Sequence, residues 1–396
     1  MGEEMKILSV NAGSSSLKFT LFEMPEEKEL ISGVFERIGL KNSFYTIKLK
    51  GEKFKTEVDL KNHKDAFEIL IKELINNKII KNLNEVEGIG HRTVQGGPYF
   101  NKTVIATKDN IKIVEDLSCL APLHNPPIIV AIKAAMEVFM NATQTLVFDT
   151  AFHQTIEKEN YIYPVPYEWY TKYNIRRYGF HGTSHKYITL RASEIMKRND
   201  LKLITCHIGN GASISAVKNG QCINTSMGFT PNAGLMMGTR SGDIDATIIT
   251  YIMKQTGISA EMIDDILNKE SGLLGVSGVS SDSRDVEAGI EKGDERCLLA
   301  QNIYVNRVVE YIAKYYVELE GADAIIFTAG LGENGIAVRK QIIDKLAVLG
   351  IKIDENRNNI RGEEKLISAD DSKVPVYVIP TNEELMIALD TYTLIK

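Results

Sequence analysis

Cysteine is scarce. Cys119, Cys206, Cys222 and Cys297 are the only four in 396 residues, they lie far apart, and no CxxC pair or short metal-ligand spacing joins them. That excludes a disulfide framework and a thiolate metal knuckle; reduced thiols in a cytoplasmic protein are the simplest account. Basic excess is lacking as well. A formal net charge of -6 argues against nucleic acid or an anionic membrane as partner, so any anionic substrate must be met by local cations. No apolar run is long enough to span a bilayer: the longest, Pro127 to Met140, is interrupted by Lys133 and Glu137. The start of the chain, Met1-Gly2-Glu3-Glu4-Met5-Lys6, has no basic region leading into a long apolar one, so a signal peptide is not expected. The single tryptophan, Trp169, falls in a Tyr- and Pro-rich stretch from 157 to 180 that reads as a connector and small packing insert.

Hydrophobic content of 44% and charged content of 25% are those of an ordinary globular protein. The length exceeds the roughly 250 to 300 residues at which one core usually splits, which predicts two domains. The chain opens on an apolar run, Ile7 to Val10, that breaks at Ala12-Gly13, passes through Ser14-Ser15-Ser16 and resumes at Leu17-Lys18-Phe19. Two strands joined by a tight polar turn fit this pattern, and the turn reads either as a plain hairpin turn or as a phosphate cradle with Lys18 beside it. Further strands are expected over 30 to 58, a helix over 64 to 77, a strand ending at Gly90-His91-Arg92, a helix over 125 to 140 entered by Pro126-Pro127, and a strand Thr143 to Phe148 ending at Asp149. Strands followed by helices, with polar residues at the strand ends, describe an α/β domain whose site lies at the carboxyl edge of its sheet.

A helix over about 183 to 198 precedes a second strand, glycine turn and strand, Leu201 to Val217, with His207-Ile208-Gly209-Asn210-Gly211 at its turn. It repeats the opening design with hardly a shared letter, so a duplicated fold with one phosphate hairpin in each half is expected. Residues 242 to 320 are mainly helical by period, strand Ala324 to Thr328 leads into the glycine turn Ala329 to Gly335, and strand Val374 to Ile379 leads to a closing helix from about Glu383. Gly330-Leu331-Gly332-Glu333-Asn334-Gly335 is literally G-x-G-x-x-G, but too little chain follows for a dinucleotide domain, and a turn facing adenosine is the better reading.

Arg92 and Arg240 each sit in glycine-rich, weakly charged surroundings, where a guanidinium needs an anion. That anion is a ligand or, for either arginine, the carboxylate of a structural salt bridge, which for Arg240 would be Asp243 or Asp245. His181 with His185 four residues on invites a zinc reading, which the missing glutamate and third ligand disfavour; His181 beside a phosphoryl group fits better. Asp149 and Glu383, at the ends of apolar strands or their loops, suit either Mg²⁺ or a helix N-terminus.

Together these segments resemble the acetate kinase family. The matching blocks are Val10 to Lys18, Gly90 to Gly97, Val147 to Thr155, Arg177 to His185, His207 to Ala216, Thr225 to Asp245, Gly278 to Asp285, Phe327 to Asn334 and Ile379 to Leu385, in order along nearly the whole chain. The resemblance implies an α/β fold of two domains with duplicated ribonuclease H-like (β-β-β-α-β-α) topology and an active site in the cleft between them. The expected bounds are 1–150 with 384–396 for the acyl and Mg²⁺ side, and 151–383 for nucleotide binding and dimerisation. It implies a cytoplasmic homodimer that transfers the γ-phosphoryl group of ATP to acetate, giving acetyl phosphate and ADP, with Mg²⁺ or Mn²⁺ as cofactor. Asn11 and Glu383 would serve the metal. Lys18, His207, Ile208, Gly209, Asn210 and Gly211 would serve the phosphates, and Asp282, Ser283, Arg284 with Gly330, Leu331, Gly332, Glu333 and Asn334 would flank adenosine. Arg92 would hold the acyl carboxylate among Val94, Leu123, Phe180 and Pro231; Asp149 would be the essential acid, and His181 and Arg240 the transition-state contacts.

The chain departs from the family pattern at Gln95, where His is usual, and at Asn224 and Asn232-Ala233. These positions leave the acyl preference open between acetate and propionate or butyrate. A nucleotide-switched module without transferase activity is the other reading, and the joint presence of Arg92, Asp149, His181 and Arg240 argues against it.

Overall fold

The computed structural model describes residues 3–122 and 124–396. The chain divides into two compact units, Met1–Phe152 with Asn382–Lys396, and His153–Thr381. In the first, alternating apolar residues form an antiparallel series of strands, β1 (Met5–Ala12), β2 (Ser16–Met24), β3 (Lys28–Glu36), β4 (Phe44–Leu49) and β5 (Glu52–Glu57). Then β6 (Val86–Thr93) adds to β1 in parallel, and β7 (Val104–Ile105) flanks β8 (Thr143–Phe148), which adds to β6 in parallel. The sheet order is β5-β4-β3-β2-β1-β6-β8-β7.

Two helices cover it. His63–Asn76 is capped by the Asn62 side chain, which accepts from the Lys64 and Asp65 N–H groups, and it buries Ala66, Phe67, Leu70 and Leu74 at helical spacing. Asn125–Val138 carries its prolines in the first turn, where no N–H is needed. The chain's last helix, Glu383–Ile395, packs on β1, β2, β6 and β8. Its close approach depends on Gly88 and Gly90: a Cβ on Gly88 would lie 2.6 Å from Ile395 Cδ1, and one on Gly90 2.6 Å from Ile387 Cγ2. The helix N-terminus, with Glu383 and Glu384 in its first turn, is thereby carried to the carboxyl end of β6.

The second unit repeats this plan. Strands β9 (Lys202–Ile208), β10 (Ala212–Lys218) and β11 (Gln221–Thr225) run antiparallel; β12 (Ala324–Thr328) adds to β9 in parallel, and β14 (Val376–Val378) to β12, with β13 (Lys365–Leu366) at the edge. Its order, β11-β10-β9-β12-β14-β13, matches β3-β2-β1-β6-β8-β7 of the first sheet, so three meandering strands followed by two parallel additions occur twice. The duplication expected from two glycine-serine hairpins is present, and the hairpins β1–β2 and β9–β10 hold the same topological place.

Three local expectations are corrected. Ala329–Asn334 is a short helix rather than a glycine turn: Ala329 enters it with φ of 64°, and the Glu333 carboxylate accepts from the N–H groups of Ala329 and Thr381 at 2.8 and 3.1 Å. The stretch 157 to 180 contains two short helices, Lys158–Tyr161 and Tyr167–Tyr173, and Trp169 is 43% exposed, so it is no packing insert; Arg176 stacks on Tyr161 instead, 3.6 Å from the ring centre. The last strand of the second sheet is shorter than expected, ending at Val378.

Candidate active site

In the first unit, parallel pairing of β1, β6 and β8 brings their carboxyl ends to one sheet edge. Asn11, in register with Lys18, lies near the end of β1; Arg92 is paired with Val147, and Asp149 follows β8, its N–H bonded to Thr93 O at 2.9 Å. The Arg92 guanidinium meets Asp149 in a two-pronged ion pair, Nε to Oδ1 at 3.0 Å and Nη2 to Oδ2 at 2.7 Å. Glu383 Oε2 lies 3.8 Å from Arg92 Nε, and Lys18 pairs with Glu384. Burial works against the Arg92 charge, but Asp149, Glu383 and Glu384 outweigh it and hold its pKa above the ordinary value. Glu383 is pushed up, first by burial and then by Asp149 and Glu384, against the pull of Arg92 and Lys18.

Two cations therefore face three carboxylates, Asp149, Glu383 and Glu384, at the edge where β1, with Asn11 next to its last residue, ends. This donor set fits Mg²⁺, an ion that takes one or two protein carboxylates and completes its shell with water and phosphate oxygens. Among the described residues no three His, Cys, Asp or Glu side chains are gathered as a metal cage. Val94 packs against the core cluster of Phe100, Ile128, Ile129 and Phe148. Next to it Gln95 is fully buried; its Oε1 accepts from Gly97 N–H at 2.9 Å while its Nε2 has no hydrogen-bond partner among the described residues. Leu123, expected beside Val94, lies outside the described residues.

In the second unit, β9 delivers His207 to its hairpin and β12 delivers Gly330 to the same edge. His181 precedes the helix Gly182–Met196 with a left-handed φ of 57°. Its ring stacks on His207 with centroids 4.1 Å apart, and its Nδ1 lies 2.9 Å from Ser213 Oγ; His207 Nδ1 lies 2.8 Å from Ser184 Oγ. A Cβ placed on Gly211 would be 3.5 Å from both Arg240 Nη1 and His181 Nε2, so guanidinium and imidazole flank one small volume over the hairpin.

The structural partners foreseen for Arg240 are taken. Asp243 binds Gly234 N–H and the Tyr311 hydroxyl, and Asp245 binds Thr247. Among the described residues Arg240 Nη1 reaches only Pro231 O at 3.4 Å and Met237 Sδ at 3.8 Å, and burial lowers its pKa. A half-buried guanidinium with no carboxylate is costly, and an anionic ligand is the economical explanation.

Beside the hairpin opens a cavity of about 540 Å³, a size that suits a nucleoside. Gly209, Asn210, Asp282, Ser283, Arg284, Gly330, Leu331 and Asn334 line it, all expected at the nucleotide. Asp282 caps its helix and grips Arg284, which lowers its pKa to about 2. Lys18, His207, Ile208, Gly211, Gly332 and Glu333, also expected at the nucleotide, do not line the cavity. Ile208 is buried within β9, Glu333 turns to backbone N–H groups, and Gly332 packs on Ile208 while its carbonyl accepts from Arg339 at 2.9 Å. Phe180 is buried, its carbonyl accepting from His153 Nε2 at 2.9 Å. Arg361 lines the cavity unforeseen: a lone arginine in a charged loop gives no sequence signal.

A family model described as the Acetokinase family matches residues 6–389. An acetate kinase of Bacillus subtilis is 52% identical over 393 residues, 99% of this chain and all of that protein. Among solved structures, an acetate kinase of Porphyromonas gingivalis superposes with a TM-score of 0.94 at 44% identity, covering 99% of this chain and 100% of that one. A propionate kinase of Francisella tularensis does so with 0.93 at 43%, again over 99% and 100%.

Proposed function

Because the chain belongs to the acetokinase family, we propose that it transfers the γ-phosphoryl group of ATP reversibly to acetate, giving acetyl phosphate and ADP. The observation that carries this reading is Arg240: a half-buried guanidinium with no acid partner, sharing with His181 the volume over Gly211, beside a nucleoside-sized cavity.

A carboxylate is already a nucleophile at neutral pH, so no strong base is needed; the task is to align two anions and stabilise a phosphoryl group in flight. Arg92 holds the acyl carboxylate, with Val94, Leu123, Phe180 and Pro231 around the methyl group. Lys18, His207, Asn210 and the N–H groups of Gly209 and Gly211 hold the phosphates. Asp282, Ser283, Arg284, Gly330 and Asn334 flank the adenosine. An acetate oxygen attacks the γ-phosphorus as the bond to the bridging oxygen breaks and ADP departs, while Arg240 and His181 face the equatorial oxygens. Asp149 holds Arg92 in its fork, and no phosphorylated side chain is required. Mg²⁺, held by Asn11 and Glu383, would neutralise phosphate charge when bound. The enzyme works as a cytoplasmic homodimer; exposed Ile248 and Tyr251 support an apolar contact.

Purified protein with MgATP and acetate is expected to form acyl hydroxamate when trapped with hydroxylamine; none would refute the assignment. The structural likeness to a propionate kinase and the Gln95 departure favour a second acceptor, propionate. One methylene is worth only about 1–3 kcal/mol in such a pocket, so kcat/KM should fall in a graded way across acid lengths.

A further inference from the structure

Four side chains of the second unit form a hydrogen-bond chain that ends at His181. Thr205 Oγ1 lies 2.7 Å from His185 Nδ1, His185 Nε2 lies 2.8 Å from Ser213 Oγ, and Ser213 Oγ lies 2.9 Å from His181 Nδ1. Thr205 on β9, Ser213 on β10 and His185 in the first turns of Gly182–Met196 are all fully buried, so sheet and helix fix their spacing.

The direction of the hydrogens follows from counting them. Each hydroxyl owns one hydrogen, and a neutral imidazole owns one. The other acceptor for the Thr205 hydrogen is the Ser215 carbonyl at 3.5 Å, well beyond the roughly 2.7–2.8 Å usual for a hydroxyl donor. Thr205 therefore donates to His185 Nδ1. Burial, then the proximity of His153 and His207, keeps His185 neutral, so its one hydrogen is on Nε2 and goes to Ser213. Ser213 accepts it and turns its own hydrogen to His181 Nδ1. The His181 hydrogen is left on Nε2, the nitrogen that flanks the volume over Gly211 with Arg240 Nη1.

We propose that Thr205, His185 and Ser213 are positioning residues that hold His181 in its neutral Nε2–H tautomer, so that it meets the transferring phosphoryl group as an uncharged hydrogen-bond donor. This rests on the reading of His181 as a phosphoryl contact. The ionisable groups near the ring in this unit include His207, stacked on it, His185 across Ser213, and Arg240. The ring also stands at the positive end of a helix dipole. An imidazolium there would add a second full charge beside Arg240, whereas a neutral ring with Nδ1 already receiving a hydrogen is preorganised to donate.

The test is ring-nitrogen NMR of the full chain labelled with ¹⁵N-histidine near neutral pH, joined to kinetics. Wild-type protein is expected to show His181 and His185 each with a bare Nδ1 and a protonated Nε2; a hydrogen on His181 Nδ1 overturns the proposal. Ser213→Ala should disturb the His181 signals and lower kcat by about tenfold to a hundredfold, the scale that holds for the outer partner of a metal-bound histidine, with KM for MgATP unchanged. Ser213→Thr, which restores the hydroxyl, should recover the wild-type spectrum and turnover. Unchanged His181 signals in Ser213→Ala overturn the relay, and the wild-type spectrum decides alone if that variant does not fold. Wild-type turnover in His181→Ala would instead refute the phosphoryl contact, and with it the catalytic half of the proposal, whatever the spectrum shows.

Discussion

Two arginines in similar sequence surroundings have opposite electrostatic situations. Arg92 is gripped by Asp149 with Glu383 nearby, and these anions sustain its charge; Arg240 has a carbonyl, a thioether and no acid. Sequence left both as either ligand-binding or structural, because the partners lie at separations such as 57 residues, from Arg92 to Asp149, that no local reading spans. The difference makes a prediction with two signs. Arg240→Ala should lower kcat on the order of 10³-fold, the scale for a guanidinium on a transferring phosphoryl group. It should leave the melting temperature of the ligand-free protein unchanged or slightly higher, because it removes a desolvated charge that nothing in the fold compensates. Arg92→Ala, which strands the buried Asp149 carboxylate, should lower it. Turnover near wild type would remove Arg240 from the mechanism, and a marked loss of stability would show that the fold itself uses its charge.

At the scale of elements, the strands and the long helices were legible, and the unusual ends of elements were not. Apolar runs broken by glycine or serine turns marked β1, β2, β9 and β10, and two hairpins of like design gave away the duplication, because both properties are local. Ala329–Asn334 reads as a turn from its glycines; what makes it a helix is the Glu333 carboxylate binding the N–H groups of Ala329 and Thr381, one of them 48 residues distant. Likewise Ser213 looks like one more alternating strand residue until His181 and His185 are seen on either side of it. Strand β6 shows what burial of an element does to a titratable residue. Its pairing on both sides places His91 in the interior, with Nε2 2.7 Å from Gln144 Oε1, and burial lowers its pKa to about 4. In the unfolded chain the ring takes a proton below about pH 6.5, so between these values the unfolded state binds one proton more than the folded state. His91 therefore contributes stability that is complete above the unfolded pKa and is lost as pH falls toward the folded one. The loss between pH 7 and 5 is about 2 kcal/mol. His91→Gln, which keeps a donor toward Gln144, should lack this part of the acid limb, so that its deficit against wild type in urea unfolding narrows by that amount over the same range. A constant deficit would mean that His91 does not titrate on unfolding.

For the whole molecule, the proposed roles divide between the two units. The cavity and its lining belong to His153–Thr381, whereas Arg92, Asp149 and Glu383 belong to the unit formed by Met1–Phe152 and Asn382–Lys396. Each ligand should then stabilise the chain through its own set of residues, and the two contributions should be separable by mutation. A ligand at about a hundred times its Kd adds about 2.7 kcal/mol to whatever binds it. For a unit of this size that raises the unfolding midpoint by roughly 5–10 °C. The single tryptophan, Trp169, lies in the second unit, so its emission follows that unit while far-UV circular dichroism follows both. MgADP should raise the Trp169 transition by that amount in wild type and equally in Arg92→Ala. Any further rise with acetate should occur in wild type and vanish in Arg92→Ala, because acetate is assigned to the guanidinium that this variant lacks. If Arg92→Ala lost the MgADP shift, Arg92 would belong to the nucleotide rather than to the acyl group, and the assignment of the carboxylate would have to move to another guanidinium, Arg240 first, which among the described residues has no acid partner.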